Sequence, residues 1–257
     1  MQKKFLILPG LSFLFGAAGF FIRSAELRTA IEPITGLTIA GKPATAALIA
    51  LSVIFAALCI LYLIRSKSSI SAPESFSAAF SCVGASGLVF FAVYCASAAL
   101  MLAGGIALLL SSPQKLGLVF AVVSIASGAC VFLRALALRR SGGSTRLLNA
   151  VTVIFFCLFL VDVYRGHTSD PTLLNFAYKI LALVFSLLGS YYCAGFDFGR
   201  RDARKALFCC ALAVYFCFIT FADSLALYLK LLAAAAFLFS LANLALLRLS
   251  CARGTET

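Results

Sequence analysis

Charged residues are scarce in this sequence. Asp, Glu, Lys and Arg make up 12% of 257 residues, whereas 63% are hydrophobic and the mean hydropathy is +1.08. A water-soluble domain is about a quarter charged, so this chain has too few charges to cover a soluble globule of its size. Soluble enzymes and disordered regions are therefore disfavoured. The net charge of +12 comes from short basic runs between apolar segments, which is a topology signal, so no nucleic-acid partner is expected.

Residues and motifs that carry catalytic or metal chemistry are also few. His167 is the only histidine, and the ten cysteines contain no C-x-x-C. Most of the cysteines lie within apolar runs, where a free cysteine behaves as a small hydrophobe, so neither a metal site nor a bound cofactor is predicted. The Gly84-Ala85-Ser86-Gly87 segment resembles the G-x-S-G serine motif of rhomboid proteases. His167 falls in an outer loop, whereas Ser86 falls toward the inner half of the membrane, so no base is available to the serine. We predict no catalytic residues and do not expect an enzyme.

Long apolar segments dominate what is present. A transmembrane helix needs about 20 mostly apolar residues, and eight segments qualify: 5–22, 43–64, 76–110, 116–138, 147–163, 173–196, 206–221 and 225–247. The sequence therefore predicts an all-α fold, a polytopic transmembrane helix bundle with about eight spans in a single integral membrane domain, 1–257. The first segment also resembles a signal peptide, but its length favours an uncleaved span. Lengths alone leave open a division into two halves, 1–138 and 147–257.

The positions of the 21 lysines and arginines predict the orientation of this bundle. Most of them fall on one side if the N-terminus is cytoplasmic, as the positive-inside rule requires. Both termini are then predicted to be cytoplasmic. We call this side the predicted inner end and the other side the predicted outer end. Arg134, near the end of the fourth segment, is assigned to the inner face.

The segment 76–110 is too long for one simple span. A continuous helix of this length would exceed a hydrocarbon core of about 30 Å. Either the helix is strongly tilted and projects into the cytoplasm, or it breaks at Gly84–Gly87 and leaves residues 88–110 as the span. The sequence leaves both alternatives open.

Four charged residues recur at one depth near the predicted outer end. They are Asp162, Lys179, Asp223 and Lys230. Charged groups at membrane depth are costly and commonly functional, so these four are candidate ligand-binding residues. Asp223 and Lys230 would share one face if the last helix began at Asp223. The alternative is that both lysines extend to the headgroups and bind nothing.

Two loops carry further predictions. At the predicted inner end, Arg200, Arg201, Arg204 and Lys205 are candidates for contact with lipid headgroups. In the first outer loop, residues 23–32 are predicted to form a short separate helix, with Arg28 and Glu32 paired at i,i+4.

The stretch Arg23-Ser-Ala-Glu-Leu-Arg-Thr-Ala-Ile-Glu-Pro-Ile-Thr-Gly-Leu resembles a group of uncharacterised polytopic membrane proteins of gut anaerobic bacteria. This resemblance implies no activity, but it implies a bacterial cytoplasmic membrane as the location of this multi-pass protein. From the residues, the leading hypothesis is a small-solute carrier or membrane-embedded binding protein with the four charged residues at its mouth. The alternative is an accessory or scaffold subunit that holds a membrane protein partner. The lipid bilayer is a partner in either case.

Overall fold

The computed structural model describes residues 7–30, 39, 42–66, 73, 76–80, 82, 85–111, 115–140, 145–166, 173–200 and 202–253. All regular structure in these segments is helical. The helices are α1 (Ile7–Thr29), α2 (Pro43–Arg65), α3 (Phe76–Phe80), α4 (Ala85–Ser111), α5 (Lys115–Arg140), α6 (Arg146–Gly166), α7 (Leu173–Gly195), α8 (Ala203–Thr220) and α9 (Leu227–Arg253). A short 3₁₀ helix, Phe196–Phe198, follows α7.

Every helix except α3 is long and apolar enough to cross a membrane. The shortest of these eight, α8, has 18 residues and the longest have 27, which corresponds to about 27 to 40 Å at 1.5 Å per residue. The prediction of an all-α, eight-span membrane bundle is confirmed. Because the number of spans is even, α1 begins and α9 ends at the same end of the bundle.

The core of the bundle is built around α8 and α9. Of the apolar window of α8, 78% is buried, against 22% for α2. α8 packs against α1, α2, α7 and α9, while α9 also packs against α3 and α4. A helix that is apolar on all sides can be buried on all sides, whereas the exposed leucines and isoleucines of α2 are suited to lipid contact.

Small residues let the helix backbones approach each other closely. A Cβ placed on Gly104 of α4 would lie 2.7 Å from Cδ2 of Leu232 in α9. Gly128 of α5 faces α4 in the same way, since its Cβ would lie 2.9 Å from Leu102 Cγ. Such contacts drive association in lipid, where there is little hydrophobic force between helices.

The long third segment forms two helices, not one tilted helix. α3 ends at Phe80 and α4 begins at Ala85. Residues 85–87 of the Gly84–Gly87 motif therefore belong to the first turn of α4, and Gly84 lies outside the described residues. Gly87 explains the position of the turn, because a Cβ there would collide with the backbone carbonyl of Cys82. The Gly87 position therefore lets the chain fold back against the first turn of α4.

At the outer end, the prediction of a separate loop helix is wrong, and the condition for Asp223 and Lys230 to share a helix face is not met. α1 continues without interruption to Thr29, so Arg23 lies inside α1 and not in a separate loop helix. The predicted partner of Arg28, Glu32, lies outside the described residues. The last helix begins at Leu227, so Asp223 lies in the turn before it and does not share a helix with Lys230.

The helix contacts cross the division at residues 138–147. α1 and α2 pack against α8, and α4 packs against α9. For example, Phe55 of α2 stacks on Tyr215 of α8 with ring centroids 4.7 Å apart. The two-half organisation stays a prediction from length, and the observed contacts join the two proposed halves through one core.

Candidate functional site

Four charged side chains meet at the predicted outer end, and we call them the outer ionic cluster: Arg23, Glu26, Lys179 and Asp223. Arg23 Nη1 donates to Glu26 Oε2 at 2.7 Å, and Arg23 Nε donates to Asp223 Oδ1 at 3.0 Å. Lys179 Nζ lies 3.9 Å from Asp223 Oδ2. The cluster thereby joins α1, α7 and the turn between α8 and α9.

Three of the four members of the cluster are almost completely removed from solvent. Arg23 is 1% exposed, Glu26 0% and Asp223 5%, and the guanidinium of Arg23 also lies 5.3 Å from the ring centroid of Tyr178. Glu26 Oε1 and Asp223 Oδ2 are buried and accept no hydrogen bond from the residues that the structure describes. A buried carboxylate oxygen without a donor is costly, so the cluster is closely paired at its centre and incompletely satisfied at its edges.

Asp223 lies outside the membrane-spanning segments, in the turn between α8 and α9. Burial raises the pKa of its carboxyl group above the ordinary value, while the positive charges of Arg23 and Lys179 act in the opposite direction. Removal of either cation would raise the pKa further. The charged state of Asp223 therefore depends on both cationic partners.

A narrow crevice opens beside the cluster, between the outer ends of α6, α7, α8 and α9. Among the described residues that line it, Lys179 and Thr220 are polar, and the others are apolar and include Phe159, Leu183 and Leu229. Its volume is about 30 Å³, which is room for about one or two water molecules. We call it the outer crevice. In this conformation it is nearly closed.

The structure brings together only two of the four predicted ligand-binding residues. Lys179 and Asp223 form an ion pair. Asp162 is half-buried on α6 and Lys230 is exposed on α9, and neither contributes to the cluster. Lys179 lines the outer crevice, whereas Asp162 and Lys230 do not.

Sequence reasoning missed Arg23 and Glu26 as members of the site. They were assigned to a short separate helix in the first outer loop, where their spacing of three residues already suits an ion pair on one helix face. The contact between Arg23 and Asp223 was not detectable in this way, because it depends on how α1 packs beside the α8–α9 turn.

A second buried cation, Arg134, lies in the inner half of the bundle. Its Nη2 donates to Tyr94 Oη at 3.1 Å and to Asn243 Oδ1 at 2.6 Å. Its guanidinium carbon lies 5.0 to 5.5 Å from the ring centroids of Phe76, Phe80, Tyr94 and Phe239. Arg134 is 2% exposed, because the two phenylalanines of α3 cover its guanidinium. Its assignment to the inner face of the membrane stays a prediction.

The predicted lipid-contact residues lie at the inner ends of α7 and α8. Arg200, Arg204 and Lys205 are exposed, whereas Arg201 lies outside the described residues. Arg200 Nη1 donates to Tyr191 Oη at 3.3 Å, and Lys205 Nζ lies 3.3 Å from Asp202 Oδ1. Their role in lipid contact stays a prediction.

Among the described residues, no group of three or more His, Cys, Asp or Glu side chains could hold a metal ion. His167, Gly84 and the side chain of Ser86 lie outside the described residues, so the geometry of the G-x-S-G segment is not described. Neither a protein-family model, nor a curated protein, nor a solved structure matches the chain.

Proposed function

We propose that this multi-pass membrane protein is a carrier or membrane-embedded binding protein for a small solute that enters at the outer crevice. The observation that supports this most is the position of Lys179, which belongs to both the outer ionic cluster and the crevice lining. Charged groups at membrane depth are commonly found on solute and ion pathways.

Lys179 is the member of the cluster best able to exchange partners. Its ammonium is 3.9 Å from Asp223 Oδ2, and its side chain is 17% exposed. Arg23, in contrast, holds its two carboxylates at hydrogen-bond distance and is fully buried. An incoming anion can therefore pair with Lys179 while Arg23 continues to neutralise Asp223.

The chemistry of the crevice indicates the class of solute. The ammonium group of Lys179 lies beside Thr220, and the other described residues of the lining are apolar. A small carboxylate with an apolar body would pair its carboxylate with Lys179 and place its body among Phe159, Leu183 and Leu229. A strongly polar solute would leave hydrogen-bonding groups unpaired in this lining, at a cost of about 1–3 kcal/mol each.

The crevice must widen before such a solute enters, because its present volume is about 30 Å³. The outer ionic cluster joins α1 to α7 and to the α8–α9 turn. Release of the Lys179–Asp223 pair is the step that solute binding can drive, since the solute supplies a replacement anion. In this proposal the cluster acts as the outer gate.

Purified protein in liposomes tests the proposal, with radiolabelled propionate, butyrate and benzoate as probes. We expect uptake or saturable binding of at least one probe, and loss of at least tenfold in Lys179→Met. Lys230→Met is the matched control, because it removes one exposed lysine at the same end of the bundle. It should retain wild-type binding.

Equal behaviour of Lys179→Met and Lys230→Met would contradict the role of the crevice. An absence of any carboxylate effect, together with a stoichiometric protein that co-purifies in mild detergent, would instead indicate the accessory or scaffold subunit.

A further inference from the structure

A groove lies on the surface of the bundle at the predicted inner end, far from the outer crevice. Its walls are α2, with Ile60 and Ile64, and α7, with Leu188 and Tyr192. Phe208 of α8 belongs to its floor, since both α2 and α7 pack against α8. The groove has a volume of about 400 Å³, within the range of about 300–1,000 Å³ found for ligand sites.

The polarity of the groove changes along the bundle axis. Arg204 and Lys205 lie in the first turn of α8, at the inner end of the groove. Phe208 is one turn deeper on α8, and Leu188 is one turn deeper than Tyr192 on α7. The lining is therefore cationic on α8 at the membrane surface and apolar further in, where it includes Leu188, Phe208 and Phe185.

The two cations at the rim are available to an anion. Arg204 is exposed and makes no ion pair with any described residue. Lys205 pairs with Asp202, but their side chains are 60% and 40% exposed, and an exposed pair of this kind is weak. Lys205 Nζ also lies 5.8 Å from the ring centroid of Tyr192, which holds the ammonium group beside the groove.

We propose that this groove binds one anionic phospholipid of the inner leaflet. The phosphodiester would accept hydrogen bonds from the Arg204 guanidinium, whose planar donors suit a phosphate, and would lie beside the Lys205 ammonium. One acyl chain would follow the groove between α2 and α7, against Leu188 and Phe208. The cations of the groove lie at the depth of a phospholipid headgroup, and its apolar residues lie at the depth of an acyl chain. This arrangement distinguishes the site from a basic loop that attracts any anion.

Native mass spectrometry of delipidated protein in a neutral detergent tests the headgroup contact. Phosphatidylglycerol and phosphatidylcholine with identical chains are the probes. We expect one phosphatidylglycerol to bind in preference to phosphatidylcholine, and Arg204→Gln to reduce its affinity by about fivefold. Arg140→Gln removes an exposed arginine from the same end of the bundle, on α5, and should leave the affinity within twofold of wild type. Equal losses in the two variants would overturn the proposal.

A second pair of variants tests the chain contact. Leu188→Trp adds bulk inside the groove and should reduce the binding of phosphatidylglycerol by at least threefold. Leu133→Trp adds the same bulk on α5 at a side chain that is 51% exposed, and should have no effect. Wild-type lipid binding by Leu188→Trp would overturn the groove as the site even if Arg204 proved to contribute.

Discussion

At the scale of single residues, the chain stabilises two buried arginines in different ways. Arg23 is neutralised by Glu26 and Asp223 through charge-assisted hydrogen bonds, which are about twice as strong as neutral ones. Arg134 is surrounded by aromatic rings and by the neutral acceptors Tyr94 and Asn243. Cation–π contacts gain strength when they are desolvated, so the second arrangement holds a cation without a described carboxylate beside it.

Loss of Arg23 is expected to be costly because two carboxylates depend on it. Arg23→Met leaves Glu26 and Asp223 buried without their closest cation, which should lower the free energy of unfolding by about 3–5 kcal/mol. The measurement is a titration with denaturing detergent in mixed micelles. Arg28→Met, an exposed position on the same helix, is the control and should cost at most about 1 kcal/mol. A similar loss in both variants would show that the outer ionic cluster does not stabilise the fold.

Sequence reasoning identified the depth of charged residues better than their partners. Lys179 and Asp223 were placed together because their positions along their spans agree, and they do form an ion pair. Lys230 was placed with them on the same argument but is exposed. Depth follows from distance to the end of a span, whereas the direction of a side chain depends on helix rotation. An apolar helix such as α8 contains little information on rotation, since lipid and the protein interior are equally apolar.

At the scale of elements, helix ends were predicted less well than helix centres. The centre of every predicted span is helical. α1, however, passes beyond the predicted boundary at residue 22, because the buried ion pairs of Arg23 and Glu26 allow two charged residues to remain in its last turns. The separation of α3 from α4 depends on a backbone contact between Gly87 and Cys82. The sequence shows the glycine but does not show which residue its backbone contacts.

One junction at the predicted inner end joins the start of α6 to the end of α7. The Asp197 carboxylate accepts hydrogen bonds from Thr145 Oγ1 at 2.8 and 3.0 Å and from Asn149 Nδ2. Its backbone carbonyl accepts from Arg146 Nε at 3.1 Å. Thr145 immediately precedes α6, so the carboxylate lies at the helix N-terminus, where a negative charge is stabilised.

This junction makes a prediction with a matched control. Asp197→Ala leaves the buried Thr145 and Asn149 side chains without their acceptor, and should lower the free energy of unfolding by about 1.5–3 kcal/mol. Asp202→Ala removes an exposed aspartate a few residues away, whose pair with Lys205 is a surface pair, and should cost at most about 1 kcal/mol. Both values come from denaturing-detergent titration. If the Asp197 junction contributed only packing, both variants would lose the same small amount of unfolding free energy.

At the scale of the whole molecule, composition predicted the class of fold and the number of spans, but not the arrangement of helices. Hydropathy identifies apolar segments, and each of the eight predicted segments overlaps one of the eight helices that are long and apolar enough to span a membrane. The packing order depends on close contacts such as Gly104 with Leu232 and on polar contacts such as Ser52 Oγ with Tyr215 Oη at 3.0 Å. The hydroxyl of Tyr215 needs a hydrogen-bond partner in an apolar span, but the identity of that partner depends on where α2 packs on α8.

The orientation of the bundle can be tested with introduced cysteines because the native ones are poorly accessible to water. Of the ten cysteines, all in described segments, Cys157 is the exposed one, and it lies near the middle of the lipid-facing side of α6. A water-soluble, membrane-impermeant maleimide should therefore leave the unmodified chain unlabelled. Thr29→Cys and Arg140→Cys place exposed thiols at opposite ends of the bundle. We expect Thr29→Cys to be labelled in intact cells and Arg140→Cys only after permeabilisation, since the basic segments should face the cytoplasm. The reverse pattern would place the outer ionic cluster on the cytoplasmic side and the basic groove on the outer side.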